Sequence, residues 1–261
     1  MSNMCRKGLD QAPTLRRIVI LGKTGAGKSS AANTIFGKKE FKVFSSFRSG
    51  TSQCQAETHP INGKDTTLID TPGFFDTNTP KEELMPEMWN CITMCLPGPH
   101  AFLIVLKYER FSELENEILN QITKHFSEEV FKYATIVFTH GEDLPEGQTI
   151  KDHLSHSDCL SEVVRKCGGR CYVIDSKYWN DSDDPYRNNS YQVNKILESV
   201  EEIVLGETME NIGGFVLIVF GISMVFGSYI DKCIVDVSIK KNITNQANQR
   251  PWMNGDVRKS L

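Results

Sequence analysis

Short apolar runs recur along the chain and alternate with stretches of helical period. Residues 17–22 (RIVILG) form the first run and end on glycine. Others stand at 67–69 (TLI), 101–106 (AFLIVL), 134–138 (ATIVF) and 171–174 (CYVI). Each is rich in β-branched or aromatic residues and lacks strict alternation, as expected of strands covered on both faces. Helical patterns lie between them. Residues 28–36 follow the first glycine-rich loop. In 111–126 Ser112 is placed to cap, and Leu114, Ile118, Ile122 and Phe126 recur every fourth residue. Another pattern spans 149–166. The last, 190–206, sets Val193, Ile196, Leu197, Val200, Ile203 and Val204 on one side and stops at Gly206. Strand alternating with helix predicts an α/β fold, a mostly parallel central sheet with helices on both faces.

One stretch breaks this pattern. Residues 212–230 carry no charged side chain, with Glu210 before them and Asp231-Lys232 after. A helix that crosses a bilayer needs about 20 apolar residues, with about 17 as the lower limit. The segment meets that need and predicts membrane insertion. Ser223 and Gly227 add a small-xxx-small spacing that lets helices approach closely. The organisation read from the chain is therefore a leader (1–16), an α/β domain (17–206), a membrane-spanning region (207–232) and a polar tail (233–261). Lys232, Lys240, Lys241, Arg250, Arg258 and Lys259 lie on the tail side. The positive-inside rule would hold that tail in the cytosol. A cytosolic α/β domain on the other side of one span conflicts with it. Asn242-Ile243-Thr244 is a sequon whose glycosylation would mark a lumenal tail.

Charge and composition narrow the classes. The net charge of -4 speaks against a nucleic-acid binder, which would carry a basic face. Eight Cys are scattered without a CxxC pair, so zinc and a disulfide framework are not expected and reduced thiols are. His153 and His156 could share a metal, but no third ligand accompanies them.

The chemistry concentrates in a few loops. Gly22-Lys23-Thr24-Gly25-Ala26-Gly27-Lys28-Ser29 fits G-x-x-x-x-G-K-S, after a strand and before a helix that continues with Ser30. Glycines let backbone N–H groups close on a phosphate, and the helix adds its positive end. Lys28 would reach the β- and γ-phosphates and Ser29 would ligate Mg²⁺. Asp70-Thr71-Pro72-Gly73 ends the next strand. There Asp70 can hold Mg²⁺ through water, and the Gly73 N–H can meet a γ-phosphate. Thr51, in SGTSQCQ (49–55), is a candidate switch threonine that closes over Mg²⁺ and γ-phosphate. Base recognition needs a carboxylate for the ring N–H and amino group of guanine. Residues 138–144 (FTHGEDL) offer Glu142 or Asp143, with His140 to stack on the base. Asp175-Ser176-Lys177 follows the last strand, where a base-contacting loop lies.

These motifs together resemble the immunity-associated GTPases, the GIMAP or AIG-type family, over roughly 16–206. The resemblance rests on GKTGAGKSSAANTIFG (22–37), SGTSQCQ (49–55), IDTPGFFDT (69–77), GPHAFLIVLKYERFSELE (98–115), FTHGEDL (138–144) and GGRCYVIDSK (168–177). It implies a P-loop GTPase fold, GTP or GDP with Mg²⁺ as ligands, and pairing with the same or related G domains. Asp175-Ser176 departs from the Asn pair usual at that loop, and His140-Gly141 from the usual basic pair. Phe74 stands where many small GTPases place a glutamine that orients water, so slow intrinsic hydrolysis is expected. Arg110 is then the candidate to act in trans across a paired interface.

Overall fold

The computed structural model describes residues 15–43, 53–73, 98–109, 128–155, 157–180 and 182–206, with scattered residues between 87 and 96 and between 119 and 123. Among the described residues six strands form one sheet: β1 (Leu15–Leu21), β2 (Gln55–Ile61), β3 (Lys64–Asp70), β4 (Ala101–Lys107), β5 (Ala134–Thr139) and β6 (Cys171–Val173). Their spatial order is β2-β3-β1-β4-β5-β6. Every neighbouring pair is parallel except β2 and β3, which form an antiparallel hairpin at the edge. The helices described along their whole length are α1 (Lys28–Phe36), α2 (Ile150–Leu154), α3 (Asp158–Lys166) and α4 (Asn189–Leu205).

Period two reappears in the packing. Ile18 and Ile20 of β1, Leu103 and Val105 of β4 and Val137 of β5 face one layer, where they meet Ala31, Ala32 and Ile35 of α1 and Ile196, Leu197 and Val200 of α4. Val19, Leu21, Phe102, Ile104, Ile136 and Phe138 face the other, against Leu160, Val163 and Val164 of α3. The runs look continuous in sequence because both faces are covered. Truncating a core residue such as Leu103 or Ile104 to Ala would cost about 2–5 kcal/mol.

Strand β2 is absent from the apolar pattern. Its residues QAETHPI are mostly exposed and polar. As an edge strand it needs no double apolar face, and Pro60 is tolerated there because one side of the backbone carries no ladder. The turn Asn62-Gly63 fixes the hairpin: both residues have positive φ, 51° and 75°, as a two-residue type I′ turn requires. The Thr58 and Thr67 hydroxyls pair across the strands at 2.7 Å.

The helical pattern expected over 149–166 is divided. Thr149 and Asp152 make a capping box around α2, and Ser157 restarts the helix as α3 by accepting the Leu160 N–H at 3.3 Å. Helix α4 begins one residue earlier than its pattern, where the Asn188 side chain accepts the Tyr191 N–H. Arg16, almost fully buried on β1, is ion-paired with Glu201 of α4, which Lys64 of β3 also meets at 2.5 Å.

The cysteines depart from the all-thiol expectation. Cys54 is disulfide-bonded to Cys91, with Cα atoms 5.6 Å apart and a separation of 37 positions in sequence. Tertiary folding creates this pair, and no local spacing announces it. Among the described residues Cys95, Cys159, Cys167 and Cys171 are free thiols, and burial pushes those of Cys95, Cys167 and Cys171 up to about 12. No helix among the described residues is long and apolar enough to cross a membrane; the segment 212–230 lies outside them.

Candidate nucleotide-binding site

The glycine-rich loop joins β1 to α1 at the end of the sheet where β3 also stops. Register sets Ile20 beside Asp70, so the loop and Asp70 emerge together. Glycine is required at two points. Gly22 approaches β4 so closely that a Cβ there would lie 2.4 Å from the Val105 carbonyl oxygen. Gly27 has φ 86° as the residue before α1, and its Cβ would press on Thr139 at 3.1 Å. This leaves a backbone concavity in front of a helix N-terminus, the form that holds phosphate.

Lys28 is buried, and its ammonium donates to the carbonyls of Gly22 at 3.0 Å and Lys23 at 2.9 Å, folded back over the loop. The Ser29 hydroxyl donates to the fully buried Asp70 carboxylate at 2.5 Å. A hydroxyl beside a carboxylate is an oxygen donor set suited to a hard, small cation such as Mg²⁺. Thr71 next to it donates to the Ile20 carbonyl at 2.6 Å and locks the start of that loop to β1. Gly73 is buried at the end of a described stretch. Thr51, Phe74 and Arg110 lie outside the described residues.

A cleft of about 390 Å³ runs from this loop to the ends of β5 and β6. Thr24, Lys28 and Ser29 line one end, and His140, Ser176 and Lys177 line the other. The hinge between them is Thr139, a residue that motif reading passed over. Its buried hydroxyl donates to the Ala26 carbonyl at 2.8 Å and stands 3.1 Å from His140 Nδ1. The base-side loop is thereby tied to the phosphate-side loop. The signal was present in FTHGEDL: a buried strand ends on a hydroxyl at the point where the sheet meets the cleft. Lys177, the third residue of the loop after β6, joins the wall at the same end.

His140 adopts a left-handed backbone, φ 60°, which directs the turn that follows. Burial, then the nearby Lys107, lowers its imidazole below the usual range, which favours the neutral ring. Gly141 is packed under Trp179, where a Cβ would meet the indole at 2.7 Å. This contact presses the base-side turn onto the loop after β6. Glu142 is half-buried and Asp143 is exposed. Glu142 meets Lys177 at 3.9 Å, and burial first, then its bond to Asp175, raises its carboxyl to about 7. Neither acid is among the residues that wall the cleft. Asp175 is fully buried behind it. Its carboxylate accepts the N–H groups of Lys177 and Tyr178, each at 2.5 Å, and of Glu142 at 3.1 Å. Asp175 thus shapes the loop, and Ser176 is the residue of that pair that faces the cleft.

His156 lies outside the described residues, and His153 is engaged by Gln148 and Tyr108. Among the described residues, Glu40, Glu57 and His59 bring ligand atoms together, but Lys38 sits in that group, 2.6 Å from His59 and 2.8 Å from Glu40.

The segment GPHA opens β4 with a clasp on β1. Arg17 N–H donates to His100 Nδ1 at 2.8 Å, the His100 N–H donates to the Arg17 carbonyl at 2.8 Å, and the Arg17 guanidinium reaches the Gly98 carbonyl at 2.6 Å. The clasp sits at the end of the sheet opposite the cleft. Its part is to hold two central strands in register.

Comparison with known proteins agrees with the fold. The AIG1 family model matches residues 16–211. The chain is 35% identical over 194 residues to immune-associated nucleotide-binding protein 10 of Arabidopsis thaliana, covering 72% of this chain and 41% of that protein. It is 33% identical over 170 residues to GTPase IMAP family member 8 of Mus musculus, covering 62% of this chain and 24% of that one. The match thus spans less than half the length of either relative. Among solved structures, Toc33 from Arabidopsis thaliana in complex with GDP and Mg²⁺ superposes with a TM-score of 0.57 at 18% identity, over 74% of this chain and 86% of the other. A chloroplast translocon structure, whose study reports that dimerization is important for GTPase activity, gives 0.59 at 17%, over 75% and 85%. At that identity the likeness establishes the P-loop GTPase fold. The motifs, the sheet order and the family match agree: this chain belongs to the AIG1 family.

Proposed function

We propose that the chain binds GTP and GDP with Mg²⁺ and works as a nucleotide-controlled switch that pairs through its G domain at a membrane. The observation that carries this reading is the cleft whose phosphate end and base end are tied by the Thr139–Ala26 bond. The loop of residues 22–29 would hold the phosphates through its N–H groups, and Lys28 would turn from the Gly22 and Lys23 carbonyls to the β- and γ-phosphates. Ser29 and Asp70 would hold Mg²⁺, which supplies charge neutralisation at the phosphates. His140 and Lys177 flank the base end. Glu142 is the better guanine reader of the two acids, since it is linked to both loops at that end while Asp143 faces solvent. Thr51 and Gly73 take the switch roles assigned from sequence, and residues 212–230 would supply the membrane anchor.

Hydrolysis is proposed to be slow in the monomer and dependent on pairing. The support is Phe74 at the water-orienting position and the dimerization reported for the translocon GTPases. Arg110 would act in trans. Turnover per molecule of the full chain should rise with protein concentration, and Arg110→Ala should remove that rise. Turnover independent of concentration, or unaltered in the variant, would contradict it. The second reading, a GTP-dependent scaffold with negligible hydrolysis, is favoured by the same Phe74. Tight nucleotide binding without measurable multiple turnover at any concentration would select it.

A further inference from the structure

Two cysteines stand where the candidate switch segments join the fold. Cys54 is followed by Gln55, whose register partner across β2 and β3 is Asp70, the acid that accepts the Ser29 hydroxyl. Thr51 is three residues before Cys54, so the two Cα atoms can be no more than about 11 Å apart. In the other direction the chain runs from Asp70 through Gly73 to a helical turn that carries Glu87 and Cys91. Cys54 and Cys91 are disulfide-bonded, and both are buried. The Cys54 N–H also donates to the Glu87 carboxylate at 3.2 Å, so the turn grips this point of the chain twice. Leu21, next to the phosphate loop, and Ile69, next to Asp70, belong to the same apolar cluster as the two cysteines. The bond therefore closes a ring of chain that contains Asp70 and Gly73 and starts just past Thr51. Cys95, one turn beyond Cys91, is a free buried thiol of that cluster.

We propose that Cys54 and Cys91 form a reversible redox site, oxidised by low-molecular-weight disulfides, whose bond biases the nucleotide cleft toward GTP over GDP. The inference rests on the switch roles given above to Thr51 and Gly73. GTP alone offers a γ-phosphate to both, and binding it must order the two segments together at a cost in chain entropy. A bond that already holds the root of one segment against the other removes part of that cost, and GDP gains less from it. In the exchange, one cysteine thiolate attacks the small disulfide, its S–S bond breaks and one thiol leaves. The second cysteine thiolate then attacks the mixed disulfide and expels the second thiol. The two cysteines are oxidised, the small disulfide is reduced, and the two cysteine protons end on the two thiols released. Because both cysteines are buried, exchange needs local opening of the turn, and the bond persists through a binding measurement. Linkage makes the effect reciprocal: GTP favours the bond over GDP by the factor with which the bond favours GTP.

The test is a redox titration of the full chain in glutathione buffers with Mg²⁺, saturated with GDP or with a non-hydrolysable GTP analogue. Free thiols are trapped by alkylation, and the Cys54–Cys91 link is counted by peptide mass. We expect the exchange constant with oxidised glutathione to be about tenfold larger with the analogue than with GDP, a shift of about 30 mV. In direct binding, the oxidised wild type should favour the analogue over GDP about tenfold more than the reduced wild type does. Cys91→Ser and Cys54→Ala should show the reduced ratio under both conditions, and Cys95→Ala should follow the wild type. Equal exchange constants with the two nucleotides, or no link at any glutathione ratio, overturn the proposal, and both are read on the wild type alone. Nucleotide binding whose preference ignores the redox state overturns it and leaves the proposed function standing. Absence of guanine-nucleotide binding in either redox form overturns both.

Discussion

Thr139 ties the two halves of the cleft, and the phosphates should feel its loss. Thr139→Ala leaves the Ala26 carbonyl without its buried donor, a cost of about 1–3 kcal/mol. We expect weaker GDP binding with the fold retained, checked by thermal melting beside the binding curve; Thr139→Ser should recover most of the affinity. Ser29→Ala should act differently. It removes the hydroxyl 2.5 Å from Asp70, so nucleotide release measured with and without Mg²⁺ should lose its Mg²⁺ dependence. An unchanged Mg²⁺ effect would contradict the ligand assignment. The residues of the phosphate loop were legible in sequence because their chemistry needs fixed types at fixed spacing. Thr139 was not, because a hydroxyl at a strand end has many ordinary uses and only the approach of Gly27 gives it this one. In sequence Asp175 reads as a base contact because it follows the last strand. Its orientation, toward three backbone N–H groups, is a property of the folded turn.

At the scale of elements, strands buried on both faces declared themselves and the edge strand did not. Only the turn residues Asn62-Gly63 offered a signal for β2. The division of 149–166 into two helices turns on Ser157, whose side chain caps a new helix instead of continuing the old one. The β1–β4 clasp carries a pH prediction. Burial, with Arg17 beside it, holds His100 down to about 4, so it is neutral in the fold. The unfolded chain binds a proton there below about 6.5 and the folded chain does not. The stability from His100 is therefore complete above about pH 6.5 and declines as pH falls toward 4. Denaturation midpoints should drop across that window more steeply in wild type than in His100→Gln. The Cys54–Cys91 bond closes a loop of 37 positions, for which the chain-entropy account gives about 4 kcal/mol. Reductant, or Cys91→Ser, should lower the melting temperature, and an equal midpoint with and without reductant would argue against the bond in solution.

For the whole molecule, the layered core and the AIG1 family match describe a P-loop domain, and on the function proposed above that domain needs something beyond itself for rapid chemistry. Pairing supplies that in our account, and 212–230 supplies a place for pairing by concentrating chains on one surface. Expressed in cells with a glycosylation-competent secretory pathway, the full chain should fractionate with membranes, and deletion of 207–232 should release it. Fractionation unaltered by the deletion would remove the anchor from the account. The guanine site is the claim on which the others depend. Its most direct test is displacement of a fluorescent GDP analogue from the full chain, with Mg²⁺ at pH 8, by GTP and by ATP in parallel. GTP should displace the probe at concentrations where ATP leaves it bound. Displacement by ATP as effective as that by GTP would contradict the assignment of the base end of the cleft.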